Sequence, residues 1–178
     1  MNHISKALVL MTALGVSACT NPNRFPGDSS GAGYDASAGG QNGTSGIVPG
    51  SANDPRSAAY FQQTVGDRVL FAVDQSSLSA QGQATLDGQA QWLMTNSDYL
   101  AVIEGHADEQ GTREYNLALG ARRANAVMEY LIARGIPASR LKFVTYGKER
   151  PIEICSEEAC YAKNRRAVTI ISAGGLTS

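Results

Sequence analysis

Apolar and polar positions alternate with a period of two in short stretches, recur at helical spacing in two longer ones, and their order along the chain sets the fold class. Val69, Phe71 and Val73 alternate with Arg68, Leu70 and Ala72, which predicts a first strand with an apolar inner face, ended by Asp74. Ser79 is placed to cap a helix over Ala80–Thr95, with Leu86, Ala90, Leu93 and Met94 facing inward and Gln81, Gln83, Asp87 and Gln91 outward. Leu100–Ile103 begins a second strand. Thr112 then caps a second helix reaching about Arg134, whose predicted core stripe is Leu117, Ala121, Ala124, Met128 and Leu131. Gly135 supplies a left-handed helix end and Pro137 forbids continuation. Leu141–Tyr146 and Ala167–Ile171 read as a third and a fourth strand. The order β-α-β-α-β-β predicts an α+β two-layer sandwich: a mixed four-stranded sheet with two helices on one face.

The first third of the chain has a different character. Met1–Ala18 starts polar and weakly basic (His3, Lys6) and continues as an apolar run from Ala7 to Val16. That run is too short to stay in a bilayer as a spanning helix and matches the core of a signal peptide. Val16-Ser17-Ala18-Cys19 resembles a bacterial lipobox, in which Cys19 is acylated and becomes the mature N-terminus. The alternative is a plain signal peptide cut near a cysteine. Thr20 follows, with no acidic residue to imply retention at the inner membrane, so the resemblance points to the outer membrane. Residues 19–56 are then rich in Gly, Ser, Asn, Asp and Ala, which bury too little apolar surface to offset their ordering entropy. They predict a flexible tether giving the domain about 30 Å of reach. The folded domain is expected over 57–173, with a short tail at 174–178.

Composition adds little to this. Hydrophobic residues make up 43% of the chain, enough for a core, and a formal net charge of -1 argues against bulk electrostatic binding to nucleic acid. A partner must therefore be recognised at a local site.

The candidate site lies where the second strand turns into the second helix. Asp108 sits on the turn, and at 100° per residue Arg123 shares a flank of the helix with Asn116, while Arg122 points away with Glu129. A guanidinium fork suits a carboxylate and a carboxylate suits an ammonium. Asp108 and Arg123 are thus expected to hold a ligand that carries both groups. The competing expectation is an internal Asp108–Arg123 salt bridge tying turn to helix.

The run E-G-H-A-D-E-Q-G-T-R-E-Y-N-L-A-L-G-A-R-R-A-N-A-V from Glu104 to Val127, followed by Y-G-K-E-R-P and A-K-N-R-R-A-V, resembles the OmpA-like peptidoglycan-binding domain family. With lipobox and tether included, the layout is similar to that of the lipoproteins of the Tol–Pal system. The resemblance covers about Val69 to Ile171. It implies noncovalent binding of the diaminopimelate residue of the peptidoglycan stem peptide, Asp108 taking the ammonium and Arg123 the carboxylate. Asp74, Asn116 and Arg165 match further positions of the family's site. Phe71-Ala72-Val73-Asp74 departs from the family's pattern, with a valine where a second aromatic is usual. The resemblance also implies the partners TolB and TolA, a lipid-anchored place at the outer membrane with the domain facing the periplasm, and a part in envelope constriction during division. It implies no cofactor, no metal and no catalysis.

Two further features bear on chemistry. Cys155 and Cys160 flank a four-residue loop, and in an oxidising periplasm a disulfide clamping the segment before Arg165 is expected; a metal pair or free thiols are the alternatives. Glu104, His106 and Asp108 alternate, so a continuing strand would align all three. That arrangement defines the rival function, a periplasmic peptidoglycan hydrolase or metal enzyme.

Overall fold

In the computed structural model, which describes residues 47–174, the period-two stretches pair into one four-stranded sheet. Its strands are β1 (Arg68–Leu70), β2 (Tyr99–His106), β3 (Leu141–Gly147) and β4 (Arg166–Ala173). Their spatial order is β1-β4-β2-β3, with β4 antiparallel to both neighbours and β2 parallel to β3. The helices are α1 (Ala58–Tyr60), α2 (Ala80–Thr95), α3 (Arg113–Ala133) and α4 (Glu158–Asn164). A parallel strand pair needs a crossover, and α3 provides it between β2 and β3. The fold is the expected α+β sandwich, with α2 and α3 packed on one face of a mixed sheet. Val69, Ala101, Ile103 and Ala167 of the sheet meet Leu86 and Leu93 of α2 and Ala124, Val127 and Leu131 of α3 in one core.

Local signals place the helix ends. The Ser79 hydroxyl accepts from the Gly82 amide and the Thr112 hydroxyl from the Tyr115 amide, each satisfying a donor the helix leaves free. Gly135 takes φ +98°, the left-handed end its position predicts.

Three details differ from the pattern. β1 stops at Leu70: Phe71 is buried, but Val73 is 50% exposed because the chain has left the sheet. Asp74 takes a left-handed φ of 56° there. The buried stripe of α3 is Asn116, Leu119, Gly120, Arg123, Ala124, Val127 and Leu131, with Leu117, Ala121 and Met128 only half-buried. The helix is rotated because Gly120 must face the sheet: a Cβ on Gly105 would lie 1.9 Å from the Gly120 carbonyl oxygen. In α2, Met94 is exposed, while Gln89 and Trp92 are buried. Gln89 tolerates this because its amide is satisfied at both ends, donating to Gly66 O at 2.7 Å and accepting from the Thr169 hydroxyl at 2.8 Å.

Periodicity also missed two helical pieces. α1, capped by Ser57, runs into a π turn over Phe61–Gly66 that seats Phe61 against Trp92, ring centroids 4.9 Å apart. α4 forms in the segment that reads as the last loop. Composition assigns Pro55 and Arg56 to the tether; their carbonyls accept hydrogen bonds from the Trp92 indole (2.8 Å) and the Tyr99 hydroxyl (3.0 Å). Among the described residues no helix is long and apolar enough to cross a membrane. The leader, Cys19, most of the tether and residues 175–178 lie outside the described residues.

Candidate functional site

The turn after β2 is built from both sides. The register between β2 and β3 shifts at Gly105/His106, and the Ala107 amide reaches the Gly147 carbonyl at 2.8 Å, so the chain leaves the sheet along a fixed path. Lys148 donates to Gly111 O at 2.7 Å, and Asn116, 1% exposed, donates through Nδ2 to Gln110 O at 2.8 Å. Asn116 therefore holds the turn that presents Asp108. Asn164 donates to Glu109 and to the Glu153 carbonyl while accepting from the Ile152 amide, tying the β3–α4 loop to the same turn.

Asp108 and Arg123 do not neutralise each other. Asp108 is buried and its Oδ2 accepts from Arg165 Nη1 at 3.1 Å, while Oδ1 takes only the Gln110 amide at 3.3 Å. Arg123 is fully buried, not flanking the core as the helical wheel has it, and spends its fork on main chain. Nε donates to Gln75 O (2.8 Å), Nη1 to His106 O (2.9 Å) and Nη2 to Ala72 O (3.1 Å). Its guanidinium carbon also lies 5.2 Å from the centre of the Phe71 ring. This grip takes the place of strand pairing for residues 72–75 and explains why β1 ends early. Burial pulls the Arg123 pKa down to about 10, against the favourable charges of Asp108 and Asp74 and with the opposing charge of Arg165. The cation persists at neutral pH.

Asp74 is exposed and accepts from the Tyr115 hydroxyl at 3.2 Å, bringing the β1–α2 loop over the first turn of α3. Arg122 is exposed beside the Tyr115 ring, turned outward as its helical position predicts. Arg165 is buried, donating to Phe71 O at 3.2 Å, to Asp108, and through Nη2 to Glu158. Burial works against its charge, but the Glu158 and Asp108 carboxylates outweigh that and hold its pKa above the ordinary value. The five site residues singled out by sequence thus sit in one connected region. Glu158 and Tyr115 join them without having been foreseen. No sequence signal marked Glu158, because its segment reads as a loop; the structure puts it at the start of α4, with Arg165 just past the end of that helix.

Cys155 and Cys160 are joined by a disulfide, Cα atoms 6.1 Å apart, so the clamp expected ahead of Arg165 is present and encloses Glu158.

The aligned acid–histidine–acid set does not form. His106 Nε2 lies 3.6 Å from Glu104 on the outer face of the sheet, but β2 ends at His106 and Asp108 turns away to Arg165. Among the described residues no group of three His, Cys, Asp or Glu side chains is arranged to hold a metal ion. His106 is 1% exposed, stacks on Tyr146, and neither ring nitrogen has a hydrogen-bond partner. Burial first, then the charges of Arg166 and Arg150, depress its pKa to about 4 from 6.5. Because the unfolded chain binds this proton more readily, stability is fully present above pH 6.5 and is lost as pH falls toward 4. The loss from this group is expected to total about 3 kcal/mol. Urea midpoints measured between pH 7 and 4 on wild type and His106→Phe check this: the slope should flatten in the variant.

Comparison with known proteins places this architecture. A profile of the OmpA family matches residues 70–165. The peptidoglycan-associated lipoprotein of Rhizobium meliloti (strain 1021) is 45% identical over 174 residues, 98% of this chain and 90% of that protein. That of Pseudomonas aeruginosa is 40% identical over 160 residues, 90% of this chain and 91% of that protein. The crystal structure of the peptidoglycan-associated lipoprotein from Burkholderia pseudomallei superposes with a TM-score of 0.61 at 38% identity, covering 68% of this chain and 98% of that one. The C-terminal domain of Helicobacter pylori MotB shares the fold at 22% identity, with a TM-score of 0.56 over 60% of this chain and 84% of its own. The motif run, the sheet order and relatives matched along nearly their whole length converge: the chain belongs to the OmpA family and, within it, to the family of peptidoglycan-associated lipoproteins.

Proposed function

We propose that this chain is a non-catalytic, lipid-anchored outer-membrane protein whose domain, 57–173, binds peptidoglycan noncovalently through the diaminopimelate residue of the stem peptide. Cys19 carries the lipid and residues 19–56 form the tether in this reading. The observation that supports it most is the spare acceptor capacity of the Asp108 carboxylate, held on a rigid turn beside the Arg165 and Arg123 cations. Asp108 Oδ1 takes a single long backbone bond, leaving room for an ammonium. Arg123, with Arg165 beside it, supplies the positive field for the carboxylate. Asn116 fixes the turn, and Asp74 stands exposed at the rim. The relatives' name, peptidoglycan-associated, agrees with a cell-wall ligand. The same reading gives the protein TolB and TolA as partners and a role in linking outer membrane to wall during constriction.

Sedimentation with purified peptidoglycan tests this. Wild type should be retained and Asp108→Asn should lose at least about tenfold in affinity, because one member of a largely desolvated charge pair is gone. Glu158 still pairs with Arg165 in that variant, so circular dichroism should show an intact fold. Equal retention of both proteins would remove Asp108 from the site, and soluble muropeptides released on prolonged incubation would turn the assignment toward the hydrolase.

A further inference from the structure

Arg165 is bracketed by two carboxylates of unlike standing. On one side is Asp108, its side chain 10% exposed and fixed by the turn; on the other is Glu158, 65% exposed and carried on the disulfide loop. The arginine between them is 6% exposed. Its Nε and Nη1 are committed to Phe71 O and Asp108, both of which belong to the packed domain. Its Nη2 alone is committed to a group that water reaches freely.

We infer that Glu158 is a stand-in for the ligand: a carboxylate of this chain that occupies Arg165 until a carboxylate of the bound peptidoglycan takes its place. The inference rests on the peptidoglycan reading above and assigns the step by which the ligand's anion enters. Arg123 is ill placed to be the entry point, since it is fully enclosed and each of its three nitrogens already meets a carbonyl. Arg165 adjoins it closely enough for the two charges to repel, so the carboxylate on Arg165, first that of Glu158 and then that of the ligand, offsets this repulsion in both states. Exchanging one carboxylate for another leaves the buried guanidinium paired throughout, which avoids the large cost of an uncompensated buried charge. The released Glu158 returns to water with little loss, because it was two-thirds exposed already. The enclosing disulfide keeps the stand-in close by when the site is empty.

A stand-in competes with the ligand, whereas a positioning residue would assist it, so the sign of the effect decides. Binding of the full-length protein to a diaminopimelate-containing stem peptide, followed by calorimetry, is compared for wild type and Glu158→Gln, and repeated with the same peptide amidated at its free diaminopimelate carboxylate. Glu158→Gln should bind the free acid about two- to fivefold more tightly, the range an exposed ion pair contributes. The gain should vanish with the amide, which brings no carboxylate to Arg165. Unchanged or weaker binding of the free acid, or an equal gain with the amide, overturns the inference. If wild type binds while Asp108→Asn does not, such a result removes the stand-in and leaves the peptidoglycan site in place; if wild type binds neither peptide nor intact peptidoglycan, both fall together.

Discussion

Gly105→Ala is expected to lower the stability of the domain by about 4 kcal/mol or more, among the largest effects a single methyl group produces. A Cβ at position 105 would stand 1.9 Å from the Gly120 carbonyl oxygen and 2.6 Å from its carbon, both backbone atoms of α3. No side-chain rotation relieves such a contact. The helix must withdraw from β2, and α3 is packed there through Ala124, Val127 and Leu131, all at or below 1% exposure. Overpacking of this kind ordinarily costs about 1–3 kcal/mol, and more when rigid backbone is the obstacle. Thermal unfolding followed by circular dichroism should show a midpoint about 10–20 °C lower. Gly88→Ala is the control: the nearest atom to its added Cβ is a Val65 methyl at 3.6 Å, and the position is inside α2. There the methyl group should stabilise by up to about 1 kcal/mol through helix propensity. A Gly105→Ala protein melting with wild type would mean that the helix and strand are not in the contact described.

The same close approach explains which parts of the fold were legible in the sequence. Helix ends follow from one or two residues, so Ser79, Thr112 and Gly135 announced them. Sheet membership was legible from short apolar stretches, the first of them with a period of two, and these placed all four strands. The facing of α3 could not be read from apolar spacing. Leu117, Ala121 and Met128 make a good hydrophobic stripe, but a pair of glycines lets the backbones touch and rotates Arg123 and Asn116 inward. Likewise, Val73 continues the alternation of β1 on paper, yet the Ala72 and Gln75 carbonyls are drawn to Arg123 and the strand ends. Both departures arise from tertiary contacts that outweigh local preference.

For the site, residue types at the right spacing were visible and their pairing was not. Asp108 and Arg123 are opposite charges on neighbouring elements, and distance along the chain favoured them as a pair. The structure gives Asp108 to Arg165, 57 residues away. No local pattern encodes that partnership, because β4 reaches Asp108 only through the sheet order β1-β4-β2-β3. Glu158 was hidden for a similar reason, since its segment looked like a loop until α4 and the disulfide shaped it.

Arg123 is expected to matter for folding as much as for binding, and its replacement separates two kinds of arginine in this site. Arg123→Met should destabilise the domain by about 3–5 kcal/mol. Methionine fills much of the volume, but the carbonyls of Ala72, Gln75 and His106 lose their donors together. Leaving buried acceptors unpaired costs about 1–3 kcal/mol each when water cannot reach them, and the exposed Asp74 loop admits water to some of the three. Arg123→Lys should recover little, since a single ammonium cannot reproduce three N–H directions set by a planar fork. Chemical denaturation gives the stability loss, and peptidoglycan sedimentation well below the new midpoint gives the binding loss in folded protein. The β1–α2 loop should be the first part released, so amide exchange at Ala72–Gln75 should accelerate before that of β2. Glu158→Gln, by contrast, removes an exposed partner of Arg165 and should cost no more than about 1 kcal/mol in the same denaturation experiment. A buried arginine that braces the site and a second one that trades carboxylates are therefore distinguishable, the first by what its loss unfolds and the second by what its neighbour's loss admits.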